Sequence, residues 1–134
     1  MIEVEVFRYN PEADSAPSTQ TVQVPEHFRK AMVLDVLEYL RERDATLAYR
    51  RSCREGVCGS DGMNINGVNR LACVTPVGDM LSAGRLIVRP LTGMPVIRDL
   101  VVDQTLFFAQ YARVQPYLIN DGPVPATERR QSPA

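Results

Sequence analysis

The feature that most constrains this chain is a short glycine-rich loop that carries two cysteines and an aspartate at fixed spacing. Four residues separate Cys53 from Cys58, two more separate Cys58 from Asp61, and the third cysteine, Cys73, follows further along. This is the plant-type [2Fe–2S] spacing C-x4-C-x2-C…C, with aspartate in the third position. A loop supplies three ligands only by wrapping tightly round the cluster, and the glycines at 56, 59 and 62 allow that close approach.

The charge balance of such a site sets further requirements. Four monoanionic ligands leave an oxidised [2Fe–2S] centre with a net negative charge that grows on reduction. Backbone N–H groups that point at the sulfur atoms stabilise this charge, and glycine leaves them accessible. Arg51 and Arg54 flank Cys53. They either offset part of the cluster charge or form a solvated basic patch that faces an interface.

Alternatives remain for individual residues. Asp61, between small residues, is also typical of a turn that makes local hydrogen bonds, and Cys73 taken alone is also consistent with a small buried hydrophobe. Structural zinc on three cysteines and one aspartate is the inorganic alternative, although the four-residue gap lies at the edge of the usual zinc spacing. The pattern favours an iron–sulfur site on Cys53, Cys58, Asp61 and Cys73.

Composition limits the other possibilities. The 134 residues, 45% hydrophobic and 23% charged, suit one soluble domain, and a net charge of −1 favours neither nucleic acid nor an anionic membrane as partner. No apolar run is long enough to span a membrane. No secretory signal precedes the first strand, so clustered cysteines indicate metal chemistry in a reducing compartment. We find no nucleophile–base pair, and the single histidine, His27, excludes a Rieske centre.

Hydrophobic periodicity predicts an α+β domain. Alternation over residues 2–8 and 19–24 predicts a hairpin, and apolar residues at helical spacing over 32–43 predict the main helix. Further strands are predicted over 63–66, 69–74 and 85–89, which places Cys73 on a strand. A second helix is predicted from residue 106 to about 113, followed by a proline-rich segment without periodicity that is typical of a linker.

Several segments closely resemble the iron–sulfur subunits of bacterial succinate dehydrogenases. They are RSCREGVCGSDGMNING at 51–67, LAC at 71–73, RPL at 89–91 and MPVIRDLVVD at 94–103. The resemblance covers nearly the whole chain. It implies that residues 1–105 form a β-grasp, plant-type ferredoxin-like domain with a mixed sheet packed on one main helix.

The resemblance also implies a function. In this family the [2Fe–2S] cluster receives electrons from the covalent FAD of a flavoprotein subunit, and aspartate at the position of Asp61 occurs in some bacterial members. The chain is then a subunit of succinate:quinone oxidoreductase, an enzyme of the tricarboxylic acid cycle and of aerobic respiration. It carries no catalytic residue for succinate oxidation itself. Its expected location is the cytoplasmic face of the bacterial inner membrane, as a peripheral protein.

One departure from the family pattern is large. Family members continue into a helical domain with [4Fe–4S] and [3Fe–4S] clusters, through which membrane-anchor subunits are reached, but no cysteine follows Cys73. Residues 106–134 are therefore expected to be a short helix and a linker toward an absent domain. The alternatives are a related fumarate reductase subunit, a freely diffusing ferredoxin, and a zinc-stabilised structural module.

Overall fold

The first two strands form the hairpin that the alternating sequence predicts. In the computed structural model, which describes residues 1–133 without the side chain of Ala83, β1 is Ile2–Arg8 and β2 is Ser18–Val24. They pair antiparallel from Ile2 opposite Val24 to Arg8 opposite Ser18. Every second residue of β1 from Ile2 to Val6 is buried, because successive side chains in a strand point to opposite faces.

The main sheet has five strands in the order β2-β1-β5-β3-β4. The remaining three strands are β3 (Gly62–Ile65), β4 (Val68–Leu71) and β5 (Leu86–Arg89). β1 and β5 lie parallel at the centre, whereas the other pairs are antiparallel, so the sheet is mixed. A parallel pair needs a long crossover. In this chain the crossover holds the main helix and the cysteine loop.

Helix α1 covers the sheet. It spans Val33–Arg43, and its apolar stripe lies in the core together with the inward residues of the strands. The carboxylate of Asp35 accepts a hydrogen bond of 2.9 Å from the backbone N–H of Met32, which caps the first turn. The fully buried Leu37 contributes about 2–3 kcal/mol through burial of apolar surface. The predicted α+β fold, with a mixed sheet packed on one main helix, is confirmed.

The prediction that Cys73 lies on a strand is wrong. β4 ends at Leu71, and Cys73 lies in a single turn of 3-10 helix, Ala72–Val74. Its backbone N–H donates to Oδ2 of Asp61 at 2.6 Å, so this group is not available to a strand partner. The Thr75 hydroxyl bonds the carbonyl of Leu71 at 2.7 Å and stabilises the turn.

The remaining elements before residue 105 are short. They are two 3-10 helices, Glu26–Lys30 and Leu81–Ala83, one further turn of α-helix, α2, at Val77–Met80, and a small separate sheet of β6 (Val96–Arg98) and β7 (Val101–Val102). The sequence did not predict the three short helices. Segments of three to five residues are too short to show helical periodicity.

A polar network lies at the end of β1. The guanidinium of Arg8 contacts Asp44 at 2.7 Å and the Thr46 hydroxyl at 2.7 Å. Hydrogen bonds to Asp44, first from Thr46 and then from Arg8, lower the pKa of this carboxyl to about 2. The Asp44 side chain is 35% exposed. This ion pair is therefore partly screened by water.

Asp99 joins three segments of the chain from a buried position. Its carboxylate accepts hydrogen bonds from Nε of Arg8 at 3.2 Å and from the backbone N–H groups of Tyr9 and Ala48 at 2.9 Å each. Its backbone is left-handed, with φ of 46°. The contact to Ala48 fixes the segment that leads into the cysteine loop.

The residues from Met1 to Gln104 form one unit, and a second unit begins at Thr105. The second unit contains α3, Thr105–Val114, close to the predicted helix. Within it, Phe107 and Phe108 pack edge to face with ring centroids 5.3 Å apart, and Tyr111 contacts Tyr117 with centroids 5.8 Å apart. No helix between residues 1 and 133 has the length and apolar character needed to cross a membrane.

Candidate metal centre

The loop between α1 and β3 carries three of the four predicted ligands, Cys53, Cys58 and Asp61, and folds through several left-handed residues. Arg54, Gly56 and Gly59 have φ of 63°, 77° and 72°, respectively. A Cβ at Gly56 would stand 3.1 Å from Cγ1 of Val74, whereas a Cβ at Gly59 would meet nothing within 4 Å. Gly56 therefore satisfies two requirements, a positive φ and a close approach.

The sulfur of Cys53 accepts several backbone hydrogen bonds. The N–H groups of Glu55, Val57 and Cys58 donate to it at 3.5, 3.3 and 3.3 Å. The N–H of Cys53 in turn donates to the sulfur of Cys58 at 3.5 Å. Donors that converge on a sulfur stabilise the negative charge of a metal-bound cysteine ligand.

Cys58 lies at the exposed side of the loop. Its sulfur is 3.1 Å from the hydroxyl of Ser60. This contact, followed by the backbone N–H of Cys53, lowers the pKa of the Cys58 thiol to about 6. The same contacts favour the thiolate form of Cys58.

Asp61 and Cys73 form the buried side of the site. Asp61 is 2% exposed, and its Oδ2 accepts the hydrogen bond from the Cys73 N–H. Its other oxygen, Oδ1, is buried and has no hydrogen-bond partner among residues 1–133. A buried carboxylate oxygen without a partner is costly. Coordination to a cation would satisfy it. Burial raises the pKa of the Cys73 thiol, and the neighbouring Asp61 carboxylate is the second cause of this shift.

The donor set fits an iron–sulfur cluster. It comprises three sulfur atoms, one unsatisfied carboxylate oxygen and backbone N–H groups directed at sulfur. Within the described part of the chain, no three His, Cys, Asp or Glu side chains meet as they do round a single metal ion. A [2Fe–2S] centre divides its four ligands between two irons and therefore needs no such single meeting point.

Helix α1 holds the basic residues on either side of Cys53. Glu38 pairs with Nε of Arg51 at 2.6 Å, and Asp35 lies 3.4 Å from the guanidinium of Arg54. The cysteine spacing alone does not assign these two carboxylates to the site. The sequence does contain a pattern that points to them. Two acids three residues apart on a helix lie on one face, and the two arginines with which they pair are also three residues apart in the loop.

Comparison with known proteins decides the family. Residues 3–109 match the family model described as the 2Fe-2S iron-sulfur cluster binding domain. The chain belongs to this family. The predicted [2Fe–2S] cofactor is thereby confirmed, whereas its ligation by Cys53, Cys58, Asp61 and Cys73 stays a prediction.

Several curated relatives are about half identical to this chain. The chain is 52% identical over 129 residues to the succinate dehydrogenase iron-sulfur subunit of Coxiella burnetii. The aligned region covers 96% of this chain and 54% of that protein. It is 48% identical to the fumarate reductase iron-sulfur subunit of Mycobacterium tuberculosis, over 99% of this chain and 54% of the relative. The chain thus spans about half the length of the curated relatives it matches.

The solved structures agree with the fold. A chain of the Mycobacterium smegmatis Sdh1 complex in the apo form superposes with a TM-score of 0.73 and 31% identity, covering 97% of this chain and 53% of that one. A hypothetical protein from Helicobacter pylori, at 20% identity and a TM-score of 0.58, shares the fold alone; the match covers 88% of this chain and 22% of that chain.

Proposed function

We propose that this chain is the part of a succinate dehydrogenase iron–sulfur subunit that receives electrons from the flavin. It takes them one at a time from the FAD of a flavoprotein subunit and passes them toward further clusters and quinone. The Coxiella and Paracoccus denitrificans relatives, at 52% and 46% identity, are both succinate dehydrogenase iron–sulfur subunits, which supports this assignment.

The observation that carries the proposal is the loop in which backbone N–H groups converge on Cys53 while the buried Asp61 keeps one oxygen unpaired. Cys53, Cys58, Asp61 and Cys73 would hold the cluster, which when bound supplies a one-electron redox centre. The residues of the chain place the three sulfurs round one site and direct backbone N–H dipoles at those of Cys53 and Cys58. No residue here performs the oxidation of succinate, which belongs to the flavoprotein.

The rest of the assignment concerns the parent protein. We infer that a helical domain with [4Fe–4S] and [3Fe–4S] clusters follows the short helix and linker at 106–134, and that membrane-anchor subunits are contacted through that domain. The complex then lies on the cytoplasmic face of the bacterial inner membrane.

A second candidate is the same relay in a fumarate reductase. The Mycobacterium tuberculosis relative, at 48% identity, is a fumarate reductase iron-sulfur subunit, and this supports the alternative. The two functions differ in the direction of electron flow. The rates of succinate oxidation and fumarate reduction by the isolated complex, each measured with its own quinone couple, distinguish them.

The test is electron paramagnetic resonance on the full-length subunit expressed with its genomic neighbours. We expect copurification with a flavoprotein and a [2Fe–2S] signal that appears on addition of succinate or dithionite. Stoichiometric zinc with no signal in the reduced state would eliminate the cluster. A subunit that never associates with a flavoprotein, yet shows the signal, would instead be a free ferredoxin.

A further inference from the structure

A basic cavity of about 430 Å³ opens beside the cysteine loop. Its lining residues are Arg41, Tyr49, Arg50, Arg51 and Ser60. Three of these five side chains carry a positive charge, and none of the five is acidic. α1 contributes Arg41, whereas the other four belong to the chain that leads into and forms the loop.

Backbone carbonyls hold two of the three guanidinium groups in place. Nη1 of Arg41 donates to the carbonyl of Leu47 at 2.9 Å, and Nη1 of Arg50 donates to the carbonyl of Val102 at 2.8 Å. A carbonyl is a neutral acceptor, so these bonds orient the guanidiniums without neutralising them. Each group keeps further N–H donors, since arginine carries five.

The third guanidinium is offset by one carboxylate. Glu38 accepts a hydrogen bond from the Tyr49 hydroxyl at 2.7 Å and pairs with Arg51 at 2.6 Å. Burial, followed by the hydrogen bond to Glu38, raises the pKa of Tyr49 to about 12, so its phenol stays neutral and adds no negative charge. The guanidinium of Arg41 also lies 5.7 Å from the centroid of the Tyr49 ring.

The cavity is directly connected to the metal site. Ser60 lines the cavity, and its hydroxyl is 3.1 Å from the sulfur of Cys58. At the tip of the same loop the apolar side chain of Val57 is 79% exposed. A protein surface that covers the loop to exchange electrons therefore also meets the mouth of the cavity.

We propose that this arginine cavity receives a carboxylate side chain from the flavoprotein that donates electrons, while Val57 makes the adjoining apolar contact. The proposal rests on the proposed function, because it takes the flavoprotein as the partner. Arginine presents its donors as a planar fork that matches a carboxylate with two parallel hydrogen bonds. Complementary charge beside the loop speeds productive encounter and fixes the orientation of the partner.

The experiment measures association of the full-length subunit with its flavoprotein over a range of NaCl concentrations. In Arg41→Gln and Arg50→Gln we expect the association rate constant at low salt to fall about 5- to 10-fold, with a weaker salt dependence than wild type. Arg29→Gln is the matched control, because it removes the same charge from the exposed 3-10 helix Glu26–Lys30. It should stay within about 2-fold of wild type.

Integrity of the metal site is checked by visible absorption and by the reduced-state resonance signal, which the variants should retain. If a glutamine variant loses the cluster, the wild-type pair is instead titrated with glutarate at constant ionic strength. Slower association with glutarate would support the cavity as the docking site, and an unchanged rate would overturn it. Equal effects of the cavity variants and Arg29→Gln would also overturn it. Failure of the wild-type pair to associate would refute the proposed function itself.

Discussion

Replacement of Asp99 by asparagine tests how the segment before the cysteine loop is anchored. The Asp99 side chain is 3% exposed and accepts three hydrogen bonds, one from Arg8 and two from backbone N–H groups. Asparagine keeps the size and tolerates the left-handed backbone. It removes the charge, however, and replaces one acceptor oxygen by an NH2 group. This NH2 group then faces one of the N–H donors that the carboxylate accepts in the wild type.

The expected loss follows from these contacts. Hydrogen bonds to a charged group contribute about 1.5–3 kcal/mol each, and breaking a buried ion pair by removing one partner costs about 3–5 kcal/mol. Arg8 keeps its second carboxylate partner, Asp44, so we place the loss for Asp99→Asn at about 3 kcal/mol. Urea unfolding followed by circular dichroism under anaerobic conditions should show a midpoint lower by about 1–2 M.

Asp44→Asn provides the matched control. It removes a carboxylate from the same arginine, but at a side chain that is 35% exposed and screened by water. The expected loss is below about 1 kcal/mol. If the two variants lose equal stability, burial does not explain the role of Asp99, and the proposed anchoring of the loop through Ala48 fails.

Three further predictions concern the loop and the effect of pH. Asp61→Cys should retain the cluster with an altered redox potential and resonance spectrum. In Asp61→Ala the visible absorbance of the cluster should decay at least about 10-fold faster than in wild type. An unchanged decay rate would mean that Asp61 is not a ligand. Gly59→Ala should lower the free energy of unfolding in urea by about 1–2 kcal/mol, because of its positive φ alone. Gly56→Ala should lower it further, because the added Cβ contacts Val74. In a Val74→Ala background the difference between the two glycine variants should vanish. Because hydrogen bonds from Thr46 and then Arg8 lower the pKa of Asp44 to about 2, these contacts stabilise the protein fully above about pH 4, and their contribution is lost as the pH falls through 2. The stability difference between wild type and Asp44→Asn should therefore shrink steeply between pH 5 and pH 2, where about half of Asp44 is protonated. A constant difference would contradict the role of these contacts.

Much of the fold follows from local patterns in the sequence. Alternation in β1 and the apolar stripe of α1 reflect one buried face each, so both elements were predictable to within one residue. The strand predicted over 69–74 was too long because its hydrophobic pattern continues through Cys73. The hydrogen bond from Cys73 to Asp61, twelve residues earlier, ends the strand there. Sequence periodicity does not register such a contact.

In the metal site, too, some features follow from local sequence and others from tertiary contacts. Spacing alone identified Cys53, Cys58 and Asp61 as a group, because the loop that joins them is short. The unpaired oxygen of Asp61 and the ion pairs from α1 to Arg51 and Arg54 depend on tertiary packing. These features arise only when the helix packs against the loop, so the spacing of residues in the sequence does not report them.

The parallel pairing of β1 with β5 affects how the protein is made. Val4 pairs with Leu86, so the centre of the sheet cannot close until about 80 residues after β1 have been synthesised. At 5–20 residues per second this takes roughly 4–16 s. All three cysteines are translated within this interval. During synthesis their thiols are therefore exposed to oxidation, and a productive nascent chain depends on a reducing environment before it can acquire its iron.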